Sequence, residues 1–144
     1  MAIRVAVVGL GKMGISHLAI VNALEDFEVV AICDSATLVG QVIEKYGKLS
    51  YAPSYEDVIS QPDLDAVIIA TPTTTHAPMV RAALEKGLHV FCEKPLTLSA
   101  AESEALAQLA QSRGLVAQVG YHNRFIGTFR EIKSLLAAGA LGRV

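Results

Sequence analysis

The chain has 144 residues, of which 52% are apolar, and a formal net charge of −2. A chain of this length buries roughly two-thirds of its unfolded surface in a single core, so we expect one globular domain. Its Lys and Arg residues are scattered, which argues against a stripe for nucleic acid or a polybasic patch for a membrane. No apolar run approaches the ~20 residues of a membrane span, and the first predicted strand follows residues 1–4 without space for a signal peptide. These features predict a cytoplasmic protein that binds neither nucleic acid nor membrane.

Predicted strands and helices alternate along the chain. Short runs of apolar and β-branched residues predict strands, and longer stretches with one apolar face predict amphipathic helices. The predicted strands are the run that ends at Val8 and residues 28–33, 49–52, 66–70, 89–92 and 116–119. Predicted helices follow Gly11, cover residues 38–46, and begin at Ser54, Thr75, Ser99 and Thr128. This alternation predicts an α/β fold, namely a doubly wound parallel sheet with strand order 3-2-1-4-5-6 and helices on both faces.

The turn after the first strand carries glycines at the spacing G-x-G-x-x-G, namely Gly9, Gly11 and Gly14. Glycine allows an unusual backbone conformation at the first position, close approach of a pyrophosphate at the second, and close packing of helix on strand at the third. The helix that follows directs free N–H groups and the positive end of its dipole at bound phosphates. Asp34, twenty residues after Gly14, is where a dinucleotide-binding fold places a carboxylate for the ribose hydroxyls. An ordinary glycine turn is the alternative, and the position of Asp34 favours a nucleotide site.

Ligands of doubly wound sheets bind beyond the carboxyl ends of the strands, so the loops that follow the strands hold the candidate site residues. Polar side chains follow the predicted strands at Asp34, residues 71–76, residues 93–95 and residues 120–124. Their convergence on one edge predicts a cleft for a cofactor and a substrate.

Other chemistries find little support in the sequence. Cys33 and Cys92 both end apolar runs, and we interpret them as buried free thiols rather than a disulfide or a metal pair. No spacing of His, Cys, Asp and Glu suggests a metal site. The glycine loop lacks the G-K-S/T ending of a P-loop, and no nucleophile elbow is present. We therefore expect no metal ion.

Five segments together carry a resemblance to a known family. They are G-L-G-K-M-G at residues 9–14 with Asp34, A-T-P-T-T-T-H at 70–76, H-V-F-C-E-K-P at 89–95, G-Y-H-N-R-F at 120–125 and G-A-L-G-R-V at 139–144. Over its whole length the chain resembles the amino-terminal half of the glucose-fructose oxidoreductase, inositol dehydrogenase and rhizopine-catabolism (Gfo/Idh/MocA) family, and E-K-P is the most specific element. The resemblance implies a dehydrogenase with a Rossmann fold that exchanges hydride between a nicotinamide dinucleotide and a sugar, cyclitol or related polyol.

The resemblance also implies roles for individual residues. Cofactor binding is expected of Gly9, Gly11, Lys12, Met13, Gly14, Asp34, Thr71, Pro72, Thr73, His76, Glu93 and Lys94. Substrate contacts are expected of Lys94, Tyr121, His122, Asn123 and Arg124. The loop at 121–124 varies within the family and does not indicate which substrate is used. For residues 71–76, a purely capping role at the next helix is the alternative. We interpret His17 as structural and His89 as an exposed residue at the start of a strand.

Lys94 is the residue to which the resemblance assigns chemistry. Its ammonium group is expected to hydrogen-bond the substrate hydroxyl and to assist a histidine of a second domain in moving the proton as hydride leaves. A positive charge at this position stabilises the negative charge that develops on the oxygen. A surface lysine in a turn is the alternative, and the neighbouring motifs favour the catalytic role. Pro95 restricts Lys94 to an extended backbone, and a cis peptide bond is an option there.

Asp34 favours NAD over NADP as the cofactor. Its carboxylate repels a 2′-phosphate, and residues 35–39 contain no Arg or Lys that could neutralise one; the next basic residue is Lys45. An aspartate that only caps the following helix is the alternative, and the two roles are compatible.

The resemblance divides the chain into a dinucleotide-binding domain, residues 1–125, and a helix with the start of a connection, residues 126–144. The family's catalytic histidine lies in a D-x-x-x-H pattern of a carboxyl-terminal substrate domain, and this chain has no such pattern. We therefore expect the chain to bind cofactor without turning over substrate, and the full-length protein to form homo-oligomers through the absent domain. The alternatives are a dinucleotide-sensing regulator and an empty Rossmann scaffold. The intact Glu93-Lys94-Pro95 argues against a sensor, which has no need of the lysine.

Overall fold

The structure is a computed structural model that describes residues 1–36, 45 and 49–143. The strands in this part of the chain are β1 (Ile3–Val8), β2 (Phe27–Cys33), β3 (Ser50–Tyr51), β4 (Ala66–Ile69), β5 (His89–Cys92) and β6 (Ala117–Val119). The helices are α1 (Lys12–Asn22), α2 (Tyr55–Ile59), α3 (Thr73–Glu85), α4 (Ala100–Ser112), α5 (Gly127–Ala137) and a 3-10 helix at His122–Phe125. The helix predicted over residues 38–46 lies outside the described residues.

The six strands form one parallel sheet in the order β3-β2-β1-β4-β5-β6. The predicted topology is therefore confirmed. The register aligns the last residues of five neighbouring strands in one row, which runs through Cys33, Val8, Ile69, Cys92 and Val119. Because these strand ends are level, the loops that follow them begin side by side at one edge of the sheet.

The core has two halves, one on each face of the sheet, because successive side chains of a strand point to opposite faces. On one face, Val5 and Val7 of β1 pack in a cluster that includes Leu18 of α1. On the other face, Ala6 and Val8 belong to a cluster with residues of α2, α3 and α4. Both faces of β1 are thus buried, as its run of apolar residues predicts.

Of the five predicted helix starts in the described residues, those after Gly11, at Ser54 and at Ser99 are confirmed, and those at Thr75 and Thr128 are wrong. The Ser54 and Ser99 hydroxyls accept hydrogen bonds from the backbone N–H groups of Asp57 and Glu102, as N-caps do. The helix predicted to begin at Thr75 begins at Thr73. Pro72 precedes it in an extended conformation, and proline is well suited to such a boundary because its φ is fixed and it has no N–H.

The last helix, α5, begins at Gly127 rather than at Thr128 and does not pack on the core. All of its residues are exposed, and its apolar face presents Phe129, Ile132, Leu135 and Leu136 to solvent. Among the residues that the structure describes, none covers this face. In the same part of the chain, no helix is long and apolar enough to cross a membrane.

Candidate cofactor and substrate site

Backbone hydrogen bonds bring four of the predicted site loops together at the carboxyl edge of the sheet. The first residue after each strand donates its N–H to a neighbouring strand end. These bonds join Gly9 to Cys33, Ala70 to Val8, Glu93 to Ile69 and Gly120 to Cys92, with N–O distances of 2.8 to 2.9 Å. The parallel ladder therefore continues one residue beyond the strands and fixes where each loop begins.

The glycine loop is compact at both ends and open in the middle. Gly9 has a φ of +89°, and a Cβ there would lie 2.7 Å from the carbonyl of Ala70. A Cβ on Gly14 would lie 1.7 Å from the Gly9 oxygen, so helix α1 contacts the turn directly. A Cβ on Gly11 would meet no atom within 4 Å. The loop thus needs glycine at Gly9 and Gly14 for its own packing, whereas Gly11 faces space that a ligand can enter.

The first turn of α1 is open to a ligand. Gly11 occupies its N-cap position and supplies no side-chain acceptor, so the first N–H groups of the helix have no side-chain cap. Lys12 and Met13, the first two residues of the helix, are exposed. A pyrophosphate would satisfy these N–H groups and meet the positive end of the helix dipole.

Asp34 is tied to the glycine loop. Its Oδ2 accepts the N–H of Leu10 at 2.5 Å, and its Oδ1 accepts the N–H of Ala36 at 2.6 Å. The carboxylate therefore orders the turn that precedes α1 as well as its own loop. Each carboxylate oxygen can accept more than one hydrogen bond, so these contacts are compatible with a further one from a ribose hydroxyl.

The loop after β4 is organised by His76. This side chain is 1% exposed, and its two ring nitrogens each lie 2.8 Å from a carbonyl oxygen, Nε2 from Thr71 and Nδ1 from Pro95. A carbonyl oxygen only accepts, so a neutral ring donates to one of the two and a doubly protonated ring to both. With both nitrogens so engaged, His76 joins the loop after β4 to the loop after β5 and has no ring nitrogen left for a ligand.

Three other residues of the loop after β4 were predicted to bind cofactor. Pro72 is exposed and Thr73, the first residue of α3, is half-buried. The Thr71 hydroxyl accepts a hydrogen bond from the Thr75 hydroxyl at 2.8 Å. The N-terminus of α3 has no side-chain cap, and it opens at the same sheet edge as the N-terminus of α1.

Glu93 is a buried carboxylate with both oxygens engaged. Its Oε1 lies 2.8 Å from Nε2 of His17, and its Oε2 accepts the backbone N–H of Lys94 at 3.1 Å. Burial by itself raises the pKa of Glu93, but the hydrogen bonds from His17 and Lys94 and the charges of those two side chains outweigh it. The net effect lowers the pKa, which favours the ionised form of the carboxylate.

Lys94 is exposed at this edge, next to the buried Glu93. The Lys94–Pro95 peptide bond is cis. Because Lys94 is exposed, its side chain is accessible to a ligand, and its backbone N–H is bound by the Glu93 carboxylate.

The residues predicted to contact substrate, 121–124, lie in and before the 3-10 helix and are all exposed. Tyr121, Asn123 and Arg124 line an open groove of about 1300 Å³ between β6 and α5. Lys94 is not among the residues that line this groove.

The two cysteines are buried free thiols, as predicted. Burial, and secondarily the negative charge of Glu93, raises the pKa of Cys92 to about 12. Burial is also the main cause that raises the pKa of Cys33. Neither thiol is therefore suited to act as a nucleophile. Among the described residues, no group of three or more His, Cys, Asp and Glu side chains is placed to hold a metal ion.

Sequence reasoning did not foresee two neighbours of the Glu93 carboxylate. His17, interpreted as structural, contacts Glu93 directly. Gly120 lies against the same carboxylate, because a Cβ on it would be 3.2 Å from Oε1. The position of His17 one turn after the glycine loop was the available signal, since that turn of α1 lies near the carboxyl edge of the sheet. His89, expected to be exposed, is half-buried, and its Nδ1 accepts the N–H of Val116 at 3.0 Å.

The parallel sheet, the glycine loop and the uncapped N-terminus of α1 define a dinucleotide-binding domain of the Rossmann type. The model of an oxidoreductase family with an NAD-binding Rossmann fold matches residues 3–121. The chain belongs to this Gfo/Idh/MocA family of oxidoreductases. The predicted resemblance is confirmed.

Similar proteins include inositol dehydrogenases. The chain is 36% identical over 143 residues to the scyllo-inositol 2-dehydrogenase (NAD(+)) of Bacillus subtilis, covering 98% of this chain and 42% of that protein. The structure of myo-inositol 2-dehydrogenase from Lactobacillus plantarum matches with a TM-score of 0.86 and 29% identity, over 100% of this chain and 43% of that one. KijD10, a 3-ketoreductase from Actinomadura kijaniata in complex with NADP, matches with a TM-score of 0.84 and 28% identity, over 96% of this chain and 43% of that one. The chain thus spans about two-fifths of the length of these relatives.

Proposed function

We propose that this chain is the cofactor-binding domain of an NAD-dependent dehydrogenase that oxidises a carbinol carbon of a cyclitol, sugar or related polyol. The observation that carries the proposal is the open, uncapped start of α1 beside Gly11, with Asp34 bound to the same loop. This arrangement offers N–H donors for a pyrophosphate and, in contact with the same loop, a carboxylate for the adenosine ribose.

The preference for NAD over NADP rests on charge. In dinucleotide-binding folds, a carboxylate at the sequence position of Asp34 binds the ribose hydroxyls and repels a 2′-phosphate, and residues 35–39 offer no cation to neutralise one. The relatives differ in this respect, because one is named for NAD(+) and another has NADP bound. The local charge of this chain supports NAD.

In the proposed reaction, a carbinol carbon is oxidised to a carbonyl. The bound nicotinamide ring supplies the acceptor for the hydride, which carries two electrons from the C–H bond. The Lys94 ammonium group hydrogen-bonds the substrate hydroxyl and stabilises the charge that develops on its oxygen as the proton is lost to a base. Glu93 and His76 hold the chain on either side of Lys94, so we assign them to the support of this site, with Glu93 also available to the nicotinamide ribose through its carboxylate.

Inositols are the proposed substrates to test first. Two of the similar proteins are named as inositol 2-dehydrogenases. The exposed residues Tyr121, His122, Asn123 and Arg124 are proposed to contact the substrate when the remainder of the enzyme completes the site.

We further propose that residues 1–125 form the cofactor domain and that residues 126–144 lead to a second, substrate-covering domain in a longer protein. The exposed apolar face of α5 supports this proposal, since an amphipathic helix normally buries such a face. In this proposal the 144-residue chain binds cofactor without catalysis, and the cytoplasmic full-length enzyme assembles as a homo-oligomer through the second domain.

The test of catalysis replaces Lys94 in the full-length enzyme. Lys94→Ala is expected to lower kcat for inositol oxidation at least about a hundredfold, within the range that a positioned acid–base group contributes, with little change in the Kd for NADH. Lys86→Ala is the matched control, because Lys86 is an exposed lysine at the C-terminus of α3, and its kcat should equal that of the wild type. An unchanged kcat in Lys94→Ala would show that Lys94 is an ordinary surface lysine without a catalytic role.

A further inference from the structure

Two imidazole rings from different helices hold the segment that contains Lys94. His17 of α1 lies 2.8 Å from Oε1 of Glu93, on one side of Lys94. His76 of α3 lies 2.8 Å from the carbonyl oxygen of Pro95, on the other side. Lys94 is therefore placed between two neighbours that are each fixed to a different helix.

Phe91 and Gly120 also pack against the contact between His17 and Glu93. The His17 ring meets the ring of Phe91 edge-on, with centroids 5.0 Å apart and an interplanar angle of 63°. Gly120 packs against the Glu93 carboxylate, since a Cβ there would lie 3.2 Å from Oε1. The carboxylate consequently has little freedom to turn away from His17.

The Glu93 carboxylate also constrains the backbone at Lys94. While Oε1 faces His17, Oε2 accepts the backbone N–H of Lys94. The orientation of the carboxylate thus fixes the orientation of the peptide group from which the Lys94 side chain departs. A small displacement of such a group strongly reduces the rate of a reaction it assists, because reacting atoms must meet in a narrow range of geometry.

We propose that His17 is a positioning residue, which acts through Glu93 to hold the Lys94 ammonium group relative to the bound cofactor. This inference rests on the proposed function. His17 suits the role because α1 begins at the glycine loop, so the helix that faces the pyrophosphate also carries the ring that fixes the Lys94 segment. Helix α1 thus contacts both the glycine loop, which is proposed to bind the pyrophosphate, and the segment that carries Lys94.

Three variants separate this role from a contribution to stability alone. His17→Leu removes the N–H donor, whereas His17→Gln keeps an amide N–H at similar reach. His89→Leu is the matched control, because His89 is also a half-buried histidine with one hydrogen bond, but lies at the amino end of β5.

The first measurement uses the 144-residue chain and needs no cofactor. Hydrogen exchange of the Lys94 amide, followed by NMR, should accelerate at least about tenfold in His17→Leu and stay near the wild-type rate in His17→Gln and His89→Leu. Unchanged exchange in His17→Leu would overturn the proposal at its structural step.

The second measurement uses the full-length enzyme. His17→Leu should lower kcat about tenfold with little change in the Kd for NADH, and His17→Gln should restore most of the loss. An unchanged kcat in His17→Leu, or an equal loss in His17→Gln, would overturn the positioning role. A wild-type protein that neither binds NADH nor oxidises a polyol would instead contradict the proposed function, whatever the exchange measurement shows.

Discussion

The Asp34 carboxylate has one observed role and one proposed role, and the ratio of two cofactor affinities distinguishes them. It orders the glycine loop through the N–H of Leu10, and we propose that it also binds the adenosine ribose. Loss of a hydrogen bond to a charged group costs about 1.5–3 kcal/mol, which is roughly a tenfold or larger change in affinity. Asp34→Ala should therefore weaken NADH binding by about tenfold or more and weaken NADPH binding less, as measured by calorimetric titration of both.

The control for this prediction is Asp65→Ala. Asp65 also accepts a backbone N–H through its carboxylate, from Arg4 at 2.8 Å, but it precedes β4 at the opposite edge of the sheet. Its loss should lower stability without changing the ratio of the two affinities. A ratio that Asp34→Ala leaves unaltered would count against the ribose role.

Glu93 gives the stability of the protein a specific dependence on pH. Because its folded pKa lies below the ordinary value of 4.5, the ionised carboxylate stabilises the fold above that pH, and the contribution is lost as the pH falls through the folded pKa. Glu93→Gln should therefore lose more free energy of unfolding, relative to the wild type, at about pH 7 than at about pH 3.

Urea denaturation at the two pH values measures this difference. Glu104→Gln is the control, because Glu104 is an exposed carboxylate on α4 whose contact is with Gln108 of the same helix. Its effect should be small at both pH values. Equal losses for Glu93→Gln at both pH values would show that the ionised carboxylate contributes nothing to the pH dependence of stability.

In the turn between β1 and α1, we expect Gly14 to be required for packing and Gly11 to be required for binding. A Cβ on Gly14 would meet the Gly9 oxygen at 1.7 Å, so Gly14→Ala should destabilise the fold by about 3 kcal/mol or more. Gly11 has an ordinary φ of −67° and open space around its Cβ position, so Gly11→Ala should change stability by less than about 0.5 kcal/mol.

Gly11→Ala, which should leave the fold stable, is expected to weaken cofactor binding. The added methyl group of Gly11→Ala occupies the space through which a pyrophosphate approaches the N–H groups of α1, so NADH affinity should fall at least about tenfold in a protein of normal stability. Thermal unfolding and NADH titration of the two variants provide the check. If the Gly11→Ala protein binds NADH as tightly as the wild type, the phosphates do not bind beside Gly11.

The sequence was sufficient to predict most elements, because their signals are local. The order of the sheet followed from the alternation of strands and helices, and the caps at Ser54 and Ser99 followed from S-x-x-D and S-x-x-E spacing. The start of α3 was misplaced because three consecutive threonines offer equivalent caps, and Pro72, which marks the boundary, has no side-chain donor or acceptor.

The contacts of the site were less accessible to sequence reasoning, because they join residues far apart in the chain. His17 and Glu93 are separated by 76 positions, and their contact depends on how α1 is rotated against the sheet. The burial of His76 likewise depends on the Pro95 carbonyl, 19 residues away. Composition and spacing assign both histidines to helices but carry no information about which way the rings face.

At the scale of the whole molecule, the core and the last helix differ sharply. The sheet and helices α1 to α4 bury apolar residues on both faces of the sheet, whereas α5 buries none. The chain also spans only about two-fifths of the length of its relatives. Both observations support the proposal that the substrate site needs further protein around Lys94 and residues 121–124.

We propose that this domain binds a nicotinamide dinucleotide by itself and prefers NAD. Calorimetric titration of the 144-residue chain with NADH and, in parallel, with NADPH tests both parts of this proposal. We expect saturable binding of both reduced cofactors or of NADH alone, with NADH the tighter ligand. Absence of saturable binding for either, or tighter binding of NADPH, would contradict the account of the glycine loop and of Asp34.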